Sequence, residues 1–284
     1  MRDGFIKVAA VTPNLKVADV DYNYKKIVEL LDIATSQKNK VIVFPELCLS
    51  GYTCHDLFMQ DRLLDECKNG LIKLAEHSVN YDSIIFVGLP IDIEGKLYNV
   101  AAAINKGKIL GLIPKHYLPN YNEFYEARQF FSGKNLNMSI NIGGQIVPVG
   151  EKIVFTCNEM SALRIAAEIC EDIWVPNSPS IFHALNGANL IVNLSASNEI
   201  VGKSRPAIAN SLRLLYLNEK IRKKLIDGEI TSGHGRALLM LEDGKLQIEI
   251  MEKIIENKHS VRETEKLIKK VKENNERENE KRKK

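Results

Sequence analysis

Short apolar runs recur through the first 200 or so residues: Ile6–Val11, Val41–Phe44, Ile84–Gly88, Val100–Ile104, Ile109–Ile113, Leu163–Ile169 and Leu190–Leu194. Runs of this length read as buried strands. Between the first two, Val20, Tyr24, Ile27, Leu31 and Ala34 step by four and three residues, one face of a helix, and Leu64, Cys67, Leu71 and Leu74 do the same further on. Strands alternating with helices predict a layered α/β domain. After Lys203 the strand-like runs stop. Ser204 can cap a helix with Pro206 in its first turn, Asp227-Gly228 marks a turn, and Thr231 or Ser232 opens a helix through Leu241 that Asp243-Gly244 breaks. Ser260 with Glu263 forms a capping-box pattern ahead of Leu267, Ile268 and Val271. Residues 273–284 are all Lys, Arg, Glu and Asn, a composition that cannot bury a core and predicts a disordered tail.

Composition adds bounds. The chain has 284 residues, 45% hydrophobic and 26% charged, enough for one large or two smaller soluble domains. No apolar run approaches the ~20 residues of a membrane span. Met1-Arg2-Asp3-Gly4 leads straight into a strand-like segment, so no signal peptide is expected. The five cysteines, at 48, 54, 67, 157 and 170, are odd in number and form no CxxC pair. That pattern argues against a disulfide framework or a zinc site and fits the cytoplasm, with no metal or cofactor expected. Charge is uneven: residues 1–203 hold 19 basic and 22 acidic residues, residues 204–284 hold 20 and 14. Such a split suggests two functions, although a solvated helical surface gives the same count.

Three segments carry chemistry. Phe44-Pro45-Glu46-Leu47 places a carboxylate just after a buried run, Ile113-Pro114-Lys115-His116 an ammonium after another, and Ile169-Cys170-Glu171-Asp172-Ile173-Trp174 a thiol after a third. Strand ends are where α/β sheets gather ligands. A carboxylate can deprotonate a thiol, and a fixed cation can hold the oxyanion formed when sulfur attacks an amide. Singly, each residue has a plain structural explanation, a buried cysteine above all. The three together are far more specific.

These residues resemble the Glu–Lys–Cys signature of the nitrilase, or carbon–nitrogen hydrolase, superfamily. The similarity is strongest to the glutaminase domain of glutamine-dependent NAD synthetases. It runs through Phe44–Tyr52, Lys115–Arg128, Cys170–Trp174 and Asn193–Glu199, and covers roughly residues 1–203. The resemblance implies that Glu46 is the general base, Lys115 the oxyanion-stabilising cation and Cys170 the nucleophile. It further implies that Tyr121, Ser197 and Lys203 hold glutamine, that Glu126 is an acidic residue close to the triad, and that Tyr52 and Phe124 line its neighbourhood. The implied reaction is glutamine to glutamate plus ammonia, with a separate NAD synthetase-type domain as ammonia acceptor. The implied fold is the N-terminal part of an α-β-β-α sandwich, truncated because the family's further strands have no counterpart here. The synthetase's Ser-Gly-Gly-x-Asp-Ser loop has none either.

From Gly202 to Leu215, and on through Ile221-Arg222, Gly228–Leu239 and Ser260–Glu265, the chain resembles the helix-turn-helix region of ParB-type partition proteins. That likeness makes Ser204–Leu215 a recognition helix, with Ser204, Arg205, Asn210 and Arg213 toward DNA and weak, mostly electrostatic binding. The family's nucleotide-binding and dimerisation parts have no counterpart. The two resemblances meet at Val201-Gly202-Lys203, as in a chimera. The expected organisation is a glutaminase domain over 1–203, a helical ParB-like fragment over 204–272 and a tail over 273–284. The readings are, in order, a glutamine amidohydrolase, a DNA-binding module, or a chimera with neither activity.

Overall fold

The central strands are apolar at consecutive positions, and the computed structural model, which describes residues 5–121, 124–197, 217–241 and 243–282, buries both of their faces. Two compact units result, Met1–Trp174 with Ser178–Ser197, and Val175–Asn177 with Asn198–Lys284.

In the first unit the strands are β1 (Val8–Ala10), β2 (Val41–Val43), β3 (Ile84–Ile93), β4 (Lys96–Asn105), β5 (Lys108–Pro114), β6 (Asn137–Ile142), β7 (Gln145–Gly150), β8 (Phe155–Thr156), β9 (Arg164–Ile169) and β10 (Leu190–Leu194). Seven of them form a sheet in the order β1-β2-β3-β4-β5-β7-β6, and three form a second in the order β10-β9-β8. Strands β1 to β3 run parallel, β3 to β5 form an antiparallel meander, and β9 and β10 run parallel. Side chains of β4 separate by parity: Val100, Ala102 and Ile104 join one core with Ile27, Leu31 and Leu71 of helices α1 (Val20–Ser36) and α2 (Asp61–His77). Ala101 and Ala103 join the other core with Ile165, Ala167 and Val192 of the small sheet. Two-residue periodicity in one strand thus glues a helical layer to one side and a sheet to the other. Helix α4 (Pro179–Leu185), capped by Ser178, packs on β9 and supplies the fourth layer. The fold is an α-β-β-α arrangement whose second sheet has three strands among the described residues.

The apolar runs locate β1 to β5, β9 and β10 but stop short of several strand ends. Strand β3 runs on to Ile93, and β4 begins at Lys96 rather than Val100. The β6–β7 hairpin, the short helix α3 (Glu126–Gln129) and α4 were not read at all.

The second unit contains α5 (Glu219–Ile226), α6 (Ser232–Leu238), α7 (Gly244–Asn257) and α8 (Val261–Arg282) around Ile221, Leu225, Leu238, Ile250, Ile254 and Ile268. Thr231 caps α6, which stops at Leu238 rather than Leu241. Asp243-Gly244, expected only as a break, starts α7: the Asp243 carboxylate accepts from Lys245 N at 2.8 Å. Ser260 and Glu263 do form the capping box, the Glu263 carboxylate accepting from Ser260 N at 2.7 Å. Helix α8 then continues to Arg282, where a disordered tail was expected. Lys, Glu and Arg are good helix formers, and a helix anchored in its first turns can continue without further apolar positions. Among the described residues no helix is long and apolar enough to cross a membrane.

Candidate active site

Glu46 is delivered by the loop that follows β2. Phe44 N still bonds to Phe86 O at 2.8 Å, and Leu49 N reaches Gly88 O at 3.2 Å, so this loop lies flat on β3. Gly88 permits it: a Cβ there would stand 2.3 Å from Leu47 N and 2.6 Å from Pro45 O. Lys115 directly follows β5, its N–H donating to Asn99 O and its carbonyl accepting from Gly133 N, both at 2.8 Å. Its side chain is fully buried, and Nζ donates to Glu46 Oε1 and to Glu126 Oε1, each at 2.6 Å. Burial opposes the Lys115 ammonium, but the Glu46 and Glu126 charges outweigh it and hold its pKa above the ordinary lysine value. Tyr52 OH also donates to Glu126 Oε1, at 2.6 Å. Burial, ahead of the opposing pull of Lys115, raises the Glu126 pKa.

Cys170 directly follows β9 and opens a 3-10 turn, Cys170–Trp174, with φ +45°, a left-handed conformation uncommon for a residue with a Cβ. Such a bend turns a side chain out of the strand end. Asp172 braces it: its carboxylate accepts from Ile169 N at 3.0 Å, and from Tyr117 N at 2.7 Å and His116 N at 3.4 Å on the Lys115 side. Burial pushes the Asp172 carboxyl up to about 7 against these bonds. Burial and then the Glu46 charge push the Cys170 thiol up to about 12, with Lys115 and the Ser195 hydroxyl pulling it back. The three strand ends therefore bring Glu46 and Lys115 into direct contact and set Cys170 within reach of their charges.

The other candidates spread outward from Glu126. The Tyr52 and Phe124 rings meet edge to face with centroids 6.3 Å apart, and Phe124 meets Tyr121 likewise at 5.9 Å. Tyr121 is half exposed, its hydroxyl donating to Glu171 Oε2 at 2.7 Å. Ser197 is exposed just beyond β10. Lys203, Ser204, Arg205, Asn210 and Arg213 lie outside the described residues. Sequence reading missed Asn99, whose Nδ2 donates to Glu46 Oε1 at 2.7 Å, and the main chain of Ala196, whose N–H donates to Glu46 Oε2 at 3.1 Å.

Comparison with known proteins agrees with this geometry. The family described as carbon-nitrogen hydrolase matches residues 7–212, and the family described as ParB HTH domain matches residues 192–273. The glutamine-dependent NAD(+) synthetase of Mycobacterium tuberculosis strain H37Rv is 35% identical over 231 residues, 81% of this chain and 34% of that protein. That of Aquifex aeolicus is 41% identical over 191 residues, 67% of this chain and 30% of the other. The chain thus spans about a third of the length of these curated relatives. Among solved structures, the glutamine-dependent NAD(+) synthetase from Cytophaga hutchinsonii superposes with a TM-score of 0.63 at 28% identity, over 74% of this chain and 33% of that one. An amidase from Nesterenkonia sp. shares the fold at a TM-score of 0.55 and 15% identity, over 74% of this chain and 72% of its own. Strand order, buried Glu–Lys contact and a family match over most of its length agree: the chain belongs to the carbon-nitrogen hydrolase family.

Proposed function

We propose that this protein hydrolyses the side-chain amide of glutamine, with Cys170 as nucleophile, Glu46 as general base and Lys115 as the oxyanion-stabilising cation. The observation that carries the reading is the fully buried Lys115 ammonium, 2.6 Å from the Glu46 carboxylate, with the Cys170 thiol under the influence of both charges. A thiol pushed up to about 12 is neutral at physiological pH, so its proton leaves for Glu46 as the carbon–sulfur bond forms. The amide oxygen takes the negative charge beside Lys115. Collapse of the adduct returns the proton through Glu46 to the leaving nitrogen, and ammonia departs. Water activated by Glu46 then attacks the thioester, releasing glutamate and restoring the thiol.

Tyr121, Ser197 and Lys203 are proposed to hold the amino-acid end of the substrate, on the strength of the motif they share with the glutaminase domains. A separate NAD synthetase-type acceptor domain is proposed to take the ammonia, on the strength of the similarity to glutamine-dependent NAD(+) synthetases. The test is release of glutamate and ammonia from L-glutamine, compared with L-asparagine and acetamide. Ammonia release from L-glutamine well above that from both controls, matched by glutamate, is expected, and its absence from folded protein would refute the substrate.

The ParB HTH match at residues 192–273 favours a second reading for the basic C-terminal part. Ser204, Arg205, Asn210 and Arg213 are proposed to contact DNA, weakly and mainly through phosphates. Duplex binding should then fall steeply between 50 and 200 mM salt, with Arg205→Ala and Arg213→Ala each weakening it about uniformly across sequences. Tight, salt-insensitive binding to one duplex would instead mark a sequence reader.

A further inference from the structure

Asn99 lies near the start of β4 and is 1% exposed. Its main chain and its side chain serve two different groups of the site. The carbonyl accepts from Lys115 N at 2.8 Å, and Nδ2 donates to Glu46 Oε1 at 2.7 Å. A carboxylate only accepts, so the amide nitrogen must be the end that faces Glu46. The other end, Oδ1, is buried and has no hydrogen-bond partner among the described residues. An amide that merely filled space would cost less as leucine, since a buried acceptor without a partner is unfavourable. Among the described residues the one hydrogen bond its side chain makes is to Glu46.

That bond decides which carboxylate oxygen is free. Glu46 Oε1 accepts from both Asn99 Nδ2 and Lys115 Nζ, which fills it. Oε2 accepts from Ala196 N at 3.1 Å and keeps room for one more proton. The Ala196 bond sets Oε2 beside the end of β10, where Asn193 Nδ2 donates to Cys170 O at 3.4 Å. We propose that Asn99 is a positioning residue for proton transfer: with Lys115 it saturates Oε1, so that Oε2 is the atom that takes the thiol proton. The inference rests on the amide-hydrolysis reading for the role of Glu46 as base, but not on the identity of the substrate.

The experiment follows alkylation of Cys170 by iodoacetamide in the full chain between pH 5 and 9, mapped to its own peptide by mass spectrometry because the other cysteines are also free thiols. Fluorescence of Trp174, the only tryptophan, reports whether each variant is folded. Asn99→Leu should slow alkylation roughly tenfold to a hundredfold, the range for losing a hydrogen bond to a charged group. Asn99→Asp keeps the shape, so it decides the matter should Asn99→Leu fail to fold. It should be slowed at pH 8, where two carboxylates face each other. Its rate relative to wild type should then climb as pH falls and the new side chain regains a proton to donate. A folded variant with the wild-type rate and profile would overturn the proposal, as would a ratio for Asn99→Asp that does not change with pH. Alkylation needs no substrate, so slowed variants of a protein that releases nothing from glutamine would support the role of Asn99 and reject the substrate.

Discussion

Cys170→Ala is expected to bring glutamate release down to background, a loss of at least about 10⁴-fold, whereas Cys48→Ala should keep most of it. Acidity does not separate the two thiols, because burial pushes Cys48 up to about 12 as well. Their neighbours do. Cys48 is fully buried, and among the described residues its Sγ bonds only to Gly88 O, at 3.5 Å. A neutral thiol with no base beside it cannot shed its proton during attack. Cys170 has the charges of Glu46, Lys115 and Glu126 acting on it. Cys48→Ala should cost roughly 1 kcal/mol of packing, read as a small shift of the unfolding midpoint. Comparable losses of activity in both variants, with both folded, would mean that the nucleophile has been misassigned.

What sequence alone made legible follows from how burial is written into it. Strands covered on both faces appear as unbroken apolar runs, and β2, β5, β9 and β10 were found that way, together with Glu46, Lys115 and Cys170 at or beside their ends. The β6–β7 hairpin is half exposed. Its signal is alternation, Met138, Ile140 and Ile142 before Gly143-Gly144, and a search for continuous runs passes over it. Asn99 was lost for a related reason. A polar residue inside Leu97-Tyr98-Asn99-Val100 looks like the end of a run, so β4 was cut at Val100 and its one polar site residue fell outside. The Ala196 N–H leaves no trace in the sequence, since every residue but proline carries one. Helix α8 continued past its apolar positions because helix propensity, unlike a core, needs no apolar side chains.

Lys115→Met should remove activity and also make stability depend steeply on pH. Methionine matches the length of the lysine stem but leaves the Glu46 and Glu126 side chains, 0% and 5% exposed, without the ammonium that both contact at 2.6 Å. Removing one partner of a buried ion pair typically costs about 3–5 kcal/mol, because the remaining charge is stranded away from water. Here two carboxylates would be stranded side by side. Burial already raises the Glu126 pKa while Lys115 pulls it down, so losing Lys115 must raise it further. A carboxyl whose folded pKa lies above its unfolded value contributes stability at low pH that disappears as pH rises through the folded pKa. The variant should therefore lie close to wild type near pH 4 and fall progressively below it toward pH 8. Urea unfolding followed by Trp174 fluorescence at several pH values measures this directly, since Trp174 closes the turn that begins at Cys170. A deficit of the same size at pH 4 and pH 8 would mean that lost packing, rather than uncompensated charge, is what Lys115→Met costs.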